Sequence, residues 1–189
     1  GQKVRLKQQY CLSSASLQDL TLRFKRENLP MEKFAAHNAI QLNDTHPTVS
    51  IPELIRLLMN EGLTFVQSFD IAQKTFGYTN HTVMQEALEK WDADLFQELL
   101  PEIFDIIYRI NAKLCGELMS RGIDCSSYAI IQGNRIHMAN LAVYVSHAVN
   151  GVAKIHTEIL KNDVLKNWYE LYPERFQNKT NGVTPRRWL

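Results

Sequence analysis

Ala39-Ile40-Gln41-Leu42-Asn43-Asp44-Thr45-His46-Pro47 is the segment from which the fold class can be predicted. Its first five residues are typical of a short buried strand, and a polar turn begins at Asp44. Two helical patterns follow, from Ser50 and from Phe65, before strand-like residues return beside Tyr78. Strand, helices and strand at this spacing indicate a parallel sheet rather than an all-helical protein. We therefore predict a single α/β unit with a parallel, nucleotide-binding-like sheet and many helices over residues 1–189.

The rest of the chain is also rich in helical periodicity. Helices are predicted over Tyr10–Arg26, Ser50–Gly62, Phe65–Phe76, Glu86–Met119 with a break before Pro101, Val152–Leu160 and Val164–Leu171. The apolar run 138–145 predicts another buried strand, followed by a turn over 146–151, and residues 176–180 read as extended. Residues 122–133 are predicted to form a loop. Ser50 and Glu53 have the spacing of a capping box.

Composition excludes several classes of function. The 189 residues are 45% hydrophobic and 22% charged, which is typical of a soluble globular protein. The 21 basic and 20 acidic residues leave a net charge of +1, so we expect neither nucleic acid nor a membrane as a partner. No window approaches the ~20 apolar residues that span a bilayer. The chain begins at Gly1 without a charged and then apolar leader, so we expect no signal peptide.

The cysteines indicate a reducing compartment. Cys11, Cys115 and Cys125 are odd in number and lack close-pair spacing. We therefore expect no disulfide framework, no thiolate metal site and a cytoplasmic location.

Three polar segments suggest the chemistry of a site. They are 41–47, 78–82 and 177–188, and each begins beside strand-like residues. Such segments suit a polyhydroxylated ligand, since every sugar hydroxyl both donates and accepts hydrogen bonds. In parallel sheets ligands bind beyond the carboxyl ends of the strands, where Asp44, His46, His81 and Asn181 would fall. A purely structural interpretation stays open, because these residues could equally cap helices or close turns.

The same segments resemble the α-glucan phosphorylases, the family of glycogen, starch and maltodextrin phosphorylase. The resemblance runs from Arg5 to Leu189 and is most specific in Gln177-Asn178-Lys179-Thr180-Asn181-Gly182-Val183-Thr184-Pro185-Arg186-Arg187-Trp188. It implies a two-domain glycosyltransferase-B-type architecture. This chain would be the C-terminal part of the first domain, and the second, cofactor-binding domain would be absent. The implied reaction is cleavage of a terminal α-1,4 bond by inorganic phosphate to give glucose 1-phosphate.

The resemblance also implies roles for individual residues. Asn181 would hydrogen-bond a hydroxyl of the terminal glucose, and the backbone carbonyl of His81 would face the sugar ring. Asp44 would add a carboxylate to the same network. A pocket beside the anomeric carbon would be lined by Arg5, His46 and Glu89. None of these residues is expected to be the proton donor.

The remaining implications concern cofactor and partners. Pyridoxal phosphate would be held by a lysine outside this chain, so we expect no cofactor-binding residue here. The partners would be α-1,4-glucan and inorganic phosphate, and the parent protein would be a homodimer. The 189 residues alone should be inactive. Arg23 stands where vertebrate enzymes carry adjacent arginines, so nucleotide activation is not expected.

Three other functions are open to the sequence. A nucleotide-sugar glycosyltransferase of the same architecture would need no pyridoxal phosphate. A metal site could draw on Asp44 with His46, His81, His147 and His156, but no pair has the compact spacing of a helical zinc site, so no metal is expected. A non-catalytic interaction module could use the aromatic residues, which are more simply assigned to the core.

Overall fold

The computed structural model describes residues 1–188 and contains short strands among many helices. The helices are α1 Gln2–Arg26, α2 Phe34–His37, α3 Ser50–Asn60, α4 Phe65–Thr75, α5 Ala93–Leu99, α6 Pro101–Ser120, α7 Met138–Tyr144, α8 Lys154–Ile159, α9 Lys166–Leu171 and α10 Pro185–Trp188. The strands are β1 Ile40–Asn43, β2 Phe76–Thr79, β3 Lys90–Asp92, β4 Ile131–Gln132, β5 Arg135–His137, β6 Ala148–Gly151 and β7 Phe176–Asn178. Leu160–Val164 forms a π-helical turn between α8 and α9.

A four-stranded sheet in the order β1-β2-β6-β7 organises the fold, and every neighbouring pair is parallel. Asn43 pairs with Thr79, and Thr79 pairs in turn with Asn150. The strands β3, β5 and β4 form a separate antiparallel sheet. The predicted α/β class with a parallel sheet is confirmed.

The parallel sheet is apolar on one face and polar on the other. Leu42, Tyr78 and Val149 are each 0–1% exposed on the core side. Gln41 and Asn43, which alternate with Leu42 along β1, are exposed on the opposite side. The apolar stripes of α3 and α6 complete the core, and several of their leucine and isoleucine side chains are fully buried. Among residues 1–188, no helix is long and apolar enough to cross a membrane.

The prediction of strand and turn around residues 138–151 is wrong. Residues 138–144 form helix α7, and the strand β6 lies within the segment expected to be a turn. Six of the seven α7 side chains are buried, among them Met138, Leu141 and Tyr144. A helix buried on nearly all sides loses its 3.6-residue pattern, so periodicity could not distinguish it from a buried strand.

Several predicted boundaries also shift. Helix α1 begins at Gln2 rather than at Tyr10. The stretch predicted as helix from Glu86 contains a 3₁₀ turn and β3, and regular α-helix starts only at Ala93. The predicted loop over 122–133 includes a 3₁₀ turn and the strand β4. The helix α4 and the break before Pro101 are confirmed.

The predicted capping box at Ser50 is also wrong, because Glu53 turns into the core instead. Arg56 donates to both Glu53 carboxylate oxygens at 2.8 Å. Ser14 Oγ donates to Oε1 at 2.7 Å, and the Tyr10 hydroxyl donates to Oε2 at 3.1 Å. The Glu53 side chain is 0% exposed, so the hydrogen bonds from Ser14 and Tyr10 join α1 to α3 inside the protein. A reciprocal capping box does occur one helix later, between Thr64 and Gln67.

The expectation of no disulfide is contradicted. Cys115 in α6 is bonded to Cys125, with Cα atoms 5.3 Å apart, and Cys11 is free and exposed. The cysteines are ten positions apart in sequence, which is not a recognised pair spacing. The turn after α6 brings them together, and only the folded chain reveals that proximity.

We expect Arg56→Met to lower the free energy of unfolding by about 3 kcal/mol, because it leaves the buried Glu53 carboxylate without its cation. Lys25→Met is the matched control, since the Lys25–Glu61 pair lies at the surface. That change should cost no more than about 1 kcal/mol. Urea unfolding followed by circular dichroism measures both, and equal effects would contradict a special role for the buried pair.

For the disulfide, a thiol assay in denaturant should find one reactive thiol, that of Cys11, without reductant and three after reduction. Reduction should lower the free energy of unfolding by about 3 kcal/mol, because the denatured chain regains the entropy of a short closed loop. The Cys11→Ser variant should show no thiol before reduction. Three thiols in the unreduced wild-type chain would contradict the bond.

Candidate functional site

The carboxyl ends of the four parallel strands meet at one edge, and all three polar segments lie there. The ends are Asn43, Thr79, Gly151 and Asn178. We call this region the polar edge and define it by residues 43–46, 79–82, 150–152 and 178–181. Because parallel strands all end on the same side, side chains distant in sequence reach a common surface. The predicted location of Asp44, His46, His81 and Asn181 is therefore correct.

Asp44 occupies a left-handed backbone conformation, with φ of 66°. Its amide donates to the carbonyl of Thr79 at 2.8 Å, and its Oδ1 accepts from the amide of Thr45 at 2.8 Å. Asp44 Oδ1 therefore closes the turn, which is one of the structural roles that the sequence allows for this residue. Oδ2 has no hydrogen-bond partner among residues 1–188. His46 is exposed in the turn that follows.

The loop after β2 is fixed by Asn80, whose side chain is fully buried. The Asn80 amide donates to the carbonyl of Asn150 at 2.9 Å, and its Nδ2 donates to the Tyr78 hydroxyl at 2.9 Å. Its Oδ1 accepts from the amide of Thr82 at 2.8 Å. His81, between these anchored residues, is exposed, and its Nε2 contacts Asn43 Oδ1.

The third segment is attached to the strand end beside it. Lys179 and Asn181 donate their amides to the carbonyls of Gly151 and Val152, at 3.1 and 2.9 Å. Gly151 is required at this position, because a Cβ there would lie 2.6 Å from Thr157 Oγ1. Asn181 is exposed, and its side-chain amide makes no hydrogen bond within the described residues.

Arg5 and Glu89, which are not among the residues of the polar edge, form an ion pair with each other. Arg5 Nη2 donates to Glu89 Oε1 at 3.0 Å, and Gln9 Nε2 donates to the same oxygen at 3.1 Å. The Arg5 guanidinium also lies 5.0 Å from the centroid of the Trp91 ring. The Glu89 side chain is only 7% exposed, yet its Oε2 has no partner among residues 1–188.

Tyr78 connects the ion pair electrostatically with the polar edge. Burial raises the pKa of the Tyr78 phenol, and the nearby carboxylates of Asp44 and Glu89 raise this pKa further. The phenol stays protonated at neutral pH and serves as a fixed dipole beneath the polar edge.

The remaining histidines have structural roles or none assigned. His156 is 6% exposed, and its Nδ1 accepts from the amide of Val152 at 3.1 Å. Within the described part of the chain, no cluster of three or more histidine, cysteine, aspartate or glutamate residues could hold a metal ion. Burial and the charge of Lys90 lower the pKa of His137, which lies on β5 away from the strand ends.

A cavity of about 510 Å³ lies beside Glu89, which is the one predicted site residue that lines it. Its other walls include Gln85, His137 and Trp168. The residues Asp44, His81 and Asn181 are not among its lining residues. These three residues therefore do not share the cavity that Glu89 lines.

Three residues hold the polar edge together without being predicted from the sequence to do so, namely Asn80, Asn150 and Tyr78. In the sequence, Asn80 stands out only as part of a polar segment, and Asn150 falls within a predicted turn. A buried asparagine cannot be recognised from its spacing, because its partners come from other strands. The one available signal was the alternation of polar with apolar residues in the short strands.

Comparison with known proteins identifies the family of this chain. The family model described as Carbohydrate phosphorylase matches residues 1–189. The chain is 47% identical to glycogen phosphorylase 2 of Dictyostelium discoideum over its whole length. It is 47% and 46% identical to the liver forms of glycogen phosphorylase from Bos taurus and Homo sapiens, again over the whole chain. It spans only 20% of the first relative and 24% of the other two. The chain belongs to the carbohydrate phosphorylase family.

Proposed function

We propose that the protein containing this chain cleaves the terminal α-1,4-linked glucose of an α-glucan with inorganic phosphate, giving glucose 1-phosphate. The observation that carries this proposal is the set of uncommitted polar groups at the polar edge. Asp44 Oδ2, the His81 carbonyl and the Asn181 side chain have no hydrogen-bond partner among residues 1–188. Backbone amides nevertheless anchor Asp44, Asn181 and the two residues that flank His81. The three similar proteins cited above are named glycogen phosphorylases.

These groups suit both the substrate and the developing charge of such a reaction. The Asn181 amide can donate to and accept from a sugar hydroxyl. Positive charge builds on the sugar ring as the glycosidic bond breaks. The His81 carbonyl dipole and the Asp44 carboxylate would stabilise that charge more strongly in the transition state than in the ground state. None of the three is assigned the proton transfer.

Arg5, His46 and Glu89 would line the space beside the anomeric carbon. The ion pair between Arg5 and Glu89 holds a carboxylate in a nearly buried position, with one oxygen uncommitted. His46 is exposed in the turn that begins with Asp44, so its imidazole is free to contact a ligand. In this proposal the three residues shape the substrate pocket and do not react.

The phosphate-binding and cofactor-binding groups would lie in the rest of the parent protein, in a second domain facing this one. A Schiff-base lysine needs a desolvated environment, and among residues 1–188 no lysine is buried. We therefore assign no cofactor step to this chain, which would be the C-terminal part of the first domain. The same proposal includes a homodimeric parent and a cytoplasmic location. Because the expected location rests on reduced cysteines, the Cys115–Cys125 bond requires a separate test of that location.

In the parent protein, Asn181→Ala should lower kcat/KM for phosphorolysis of maltoheptaose about tenfold, because one hydrogen bond to the sugar is lost. Release of glucose 1-phosphate measures the rate. Asn162→Ala is the control, since Asn162 is an exposed asparagine whose side chain bonds only to the Glu158 carbonyl. That variant should match the wild type.

The outcomes separate the reaction from the site assignment. Phosphate-dependent product that is unaffected by Asn181→Ala would keep the reaction and remove Asn181 from the site. Absence of product from the unsubstituted parent would contradict the proposed function itself.

The 189-residue chain alone should neither release glucose 1-phosphate nor retain pyridoxal phosphate through gel filtration, because it offers no shielded lysine. Absorbance of a protein-bound Schiff base, before and after borohydride reduction, measures retention. Stoichiometric retention of the cofactor would overturn the assignment of its site to the rest of the parent.

A further inference from the structure

A row of side-chain hydrogen bonds crosses three strands at the polar edge. Gln41 Nε2 donates to Thr79 Oγ1 at 2.8 Å, and Thr79 Oγ1 donates to Asn150 Oδ1 at 2.8 Å. We call Gln41, Thr79 and Asn150 the cross-strand ladder. They come from β1, β2 and β6, so the ladder runs across the strands at their carboxyl ends.

The ladder continues into the third polar segment. Asn150 Nδ2 donates to the carbonyl of Gly151 at 3.0 Å. The same carbonyl accepts from the amide of Lys179 at 3.1 Å, two positions before Asn181. Hydrogen bonds therefore link the first polar segment to the third without interruption.

The ladder residues also hold the turns that carry the candidate site. The Thr79 carbonyl accepts from the amide of Asp44 at 2.8 Å, and the Asn150 carbonyl accepts from the amide of Asn80 at 2.9 Å. Asn80 immediately precedes His81. Thr79 and Asn150 thus fix each other through their side chains and fix the neighbouring turns through their backbones.

The chemistry of each position matches this arrangement. The Thr79 hydroxyl accepts one hydrogen bond and donates another, which a valine of the same shape could not do. Gly77 leaves space for Gln41, because a Cβ at Gly77 would lie 2.6 Å from Gln41 Oε1. The small residue in β2 and the long side chain in β1 are therefore complementary.

We infer that Gln41, Thr79 and Asn150 are positioning residues that fix Asp44, His81 and Asn181 relative to one another. This inference rests on the proposed function, since it assigns the ladder a purpose in sugar transfer. The ladder residues need not touch the substrate. Their effect on the reaction comes from the sensitivity of rate to small displacements of the groups around the reacting centre.

The test compares three threonine variants of the parent protein. Thr79→Val should lower kcat by about tenfold or more with little change in KM, because misplaced groups weaken transition-state stabilisation. Thr79→Ser, which keeps the hydroxyl, should restore most of the activity. Thr75→Val is the structural control, since the buried Thr75 hydroxyl donates only to the Ile71 carbonyl within α4. It should lower Tm without lowering kcat.

A second pair of variants tests the same inference in case Thr79→Val does not fold. Gln41→Ala removes the exposed end of the ladder and should lower kcat by about threefold or more, in the same direction as Thr79→Val. Gln97→Ala is its control, because Gln97 is an exposed glutamine on α5, outside the polar segments. Gln97 makes no side-chain hydrogen bond within the described residues, so its loss should leave kcat unchanged.

Hydrogen exchange of the parent protein provides a readout that does not depend on activity. Thr79→Val should speed exchange at the amides of Asp44 and Asn80 and in the segment 179–181, and Thr75→Val should not. Unchanged exchange at these amides would contradict the claim that the ladder holds the neighbouring turns. A kcat within twofold of the wild type in both Thr79→Val and Gln41→Ala would overturn the positioning role. If the parent protein showed no phosphorolysis, the proposed function would be rejected. Hydrogen exchange would then still test whether the ladder holds the turns.

Discussion

The parallel pairing of β1, β2, β6 and β7 is the constraint on which the candidate site depends. Parallel strands all point the same way, so the turns that leave them must gather at one edge. The pairing of Asn43 with Thr79 and of Thr79 with Asn150 aligns three of these strand ends to within one residue. Gly151 allows the close approach of α8, because Thr157 occupies the space where a Cβ would lie.

The two faces of this sheet differ in polarity and in function. Parallel sheets are normally buried on both faces and apolar on both. Here Leu42, Tyr78 and Val149 pack into the core, while Gln41 and Asn43 remain exposed on the other face. The polar face can therefore form side-chain hydrogen bonds between strands, which an apolar face could not. The apolar face supplies the burial that stabilises the sheet.

Helix α1 connects the helical core with the ion pair near the site. Ser14 and Tyr10 bind the buried Glu53 carboxylate of α3. Earlier on the same helix, Gln9 and Arg5 bind Glu89. Hydrogen bonds to the buried Glu53 carboxylate thus anchor the helix that carries Gln9 and Arg5. The chain orders this part of the family's fold with its own core, although it spans only 20–24% of its relatives.

The sequence by itself determined the α/β class, the helices α3, α4 and α6, and the location of Asp44, His81 and Asn181 at one edge. These follow from local periodicity and from the rule that strand ends carry the polar turns. Only the tertiary structure decided that residues 138–144 are helical, that Glu53 is buried with Arg56, and that Cys115 meets Cys125. It alone revealed the hydrogen bonds among Gln41, Thr79 and Asn150. The physical reason is the difference between local and long-range information. Periodicity in the sequence indicates which face of a helix or strand is apolar, whereas these contacts join residues that only folding brings together.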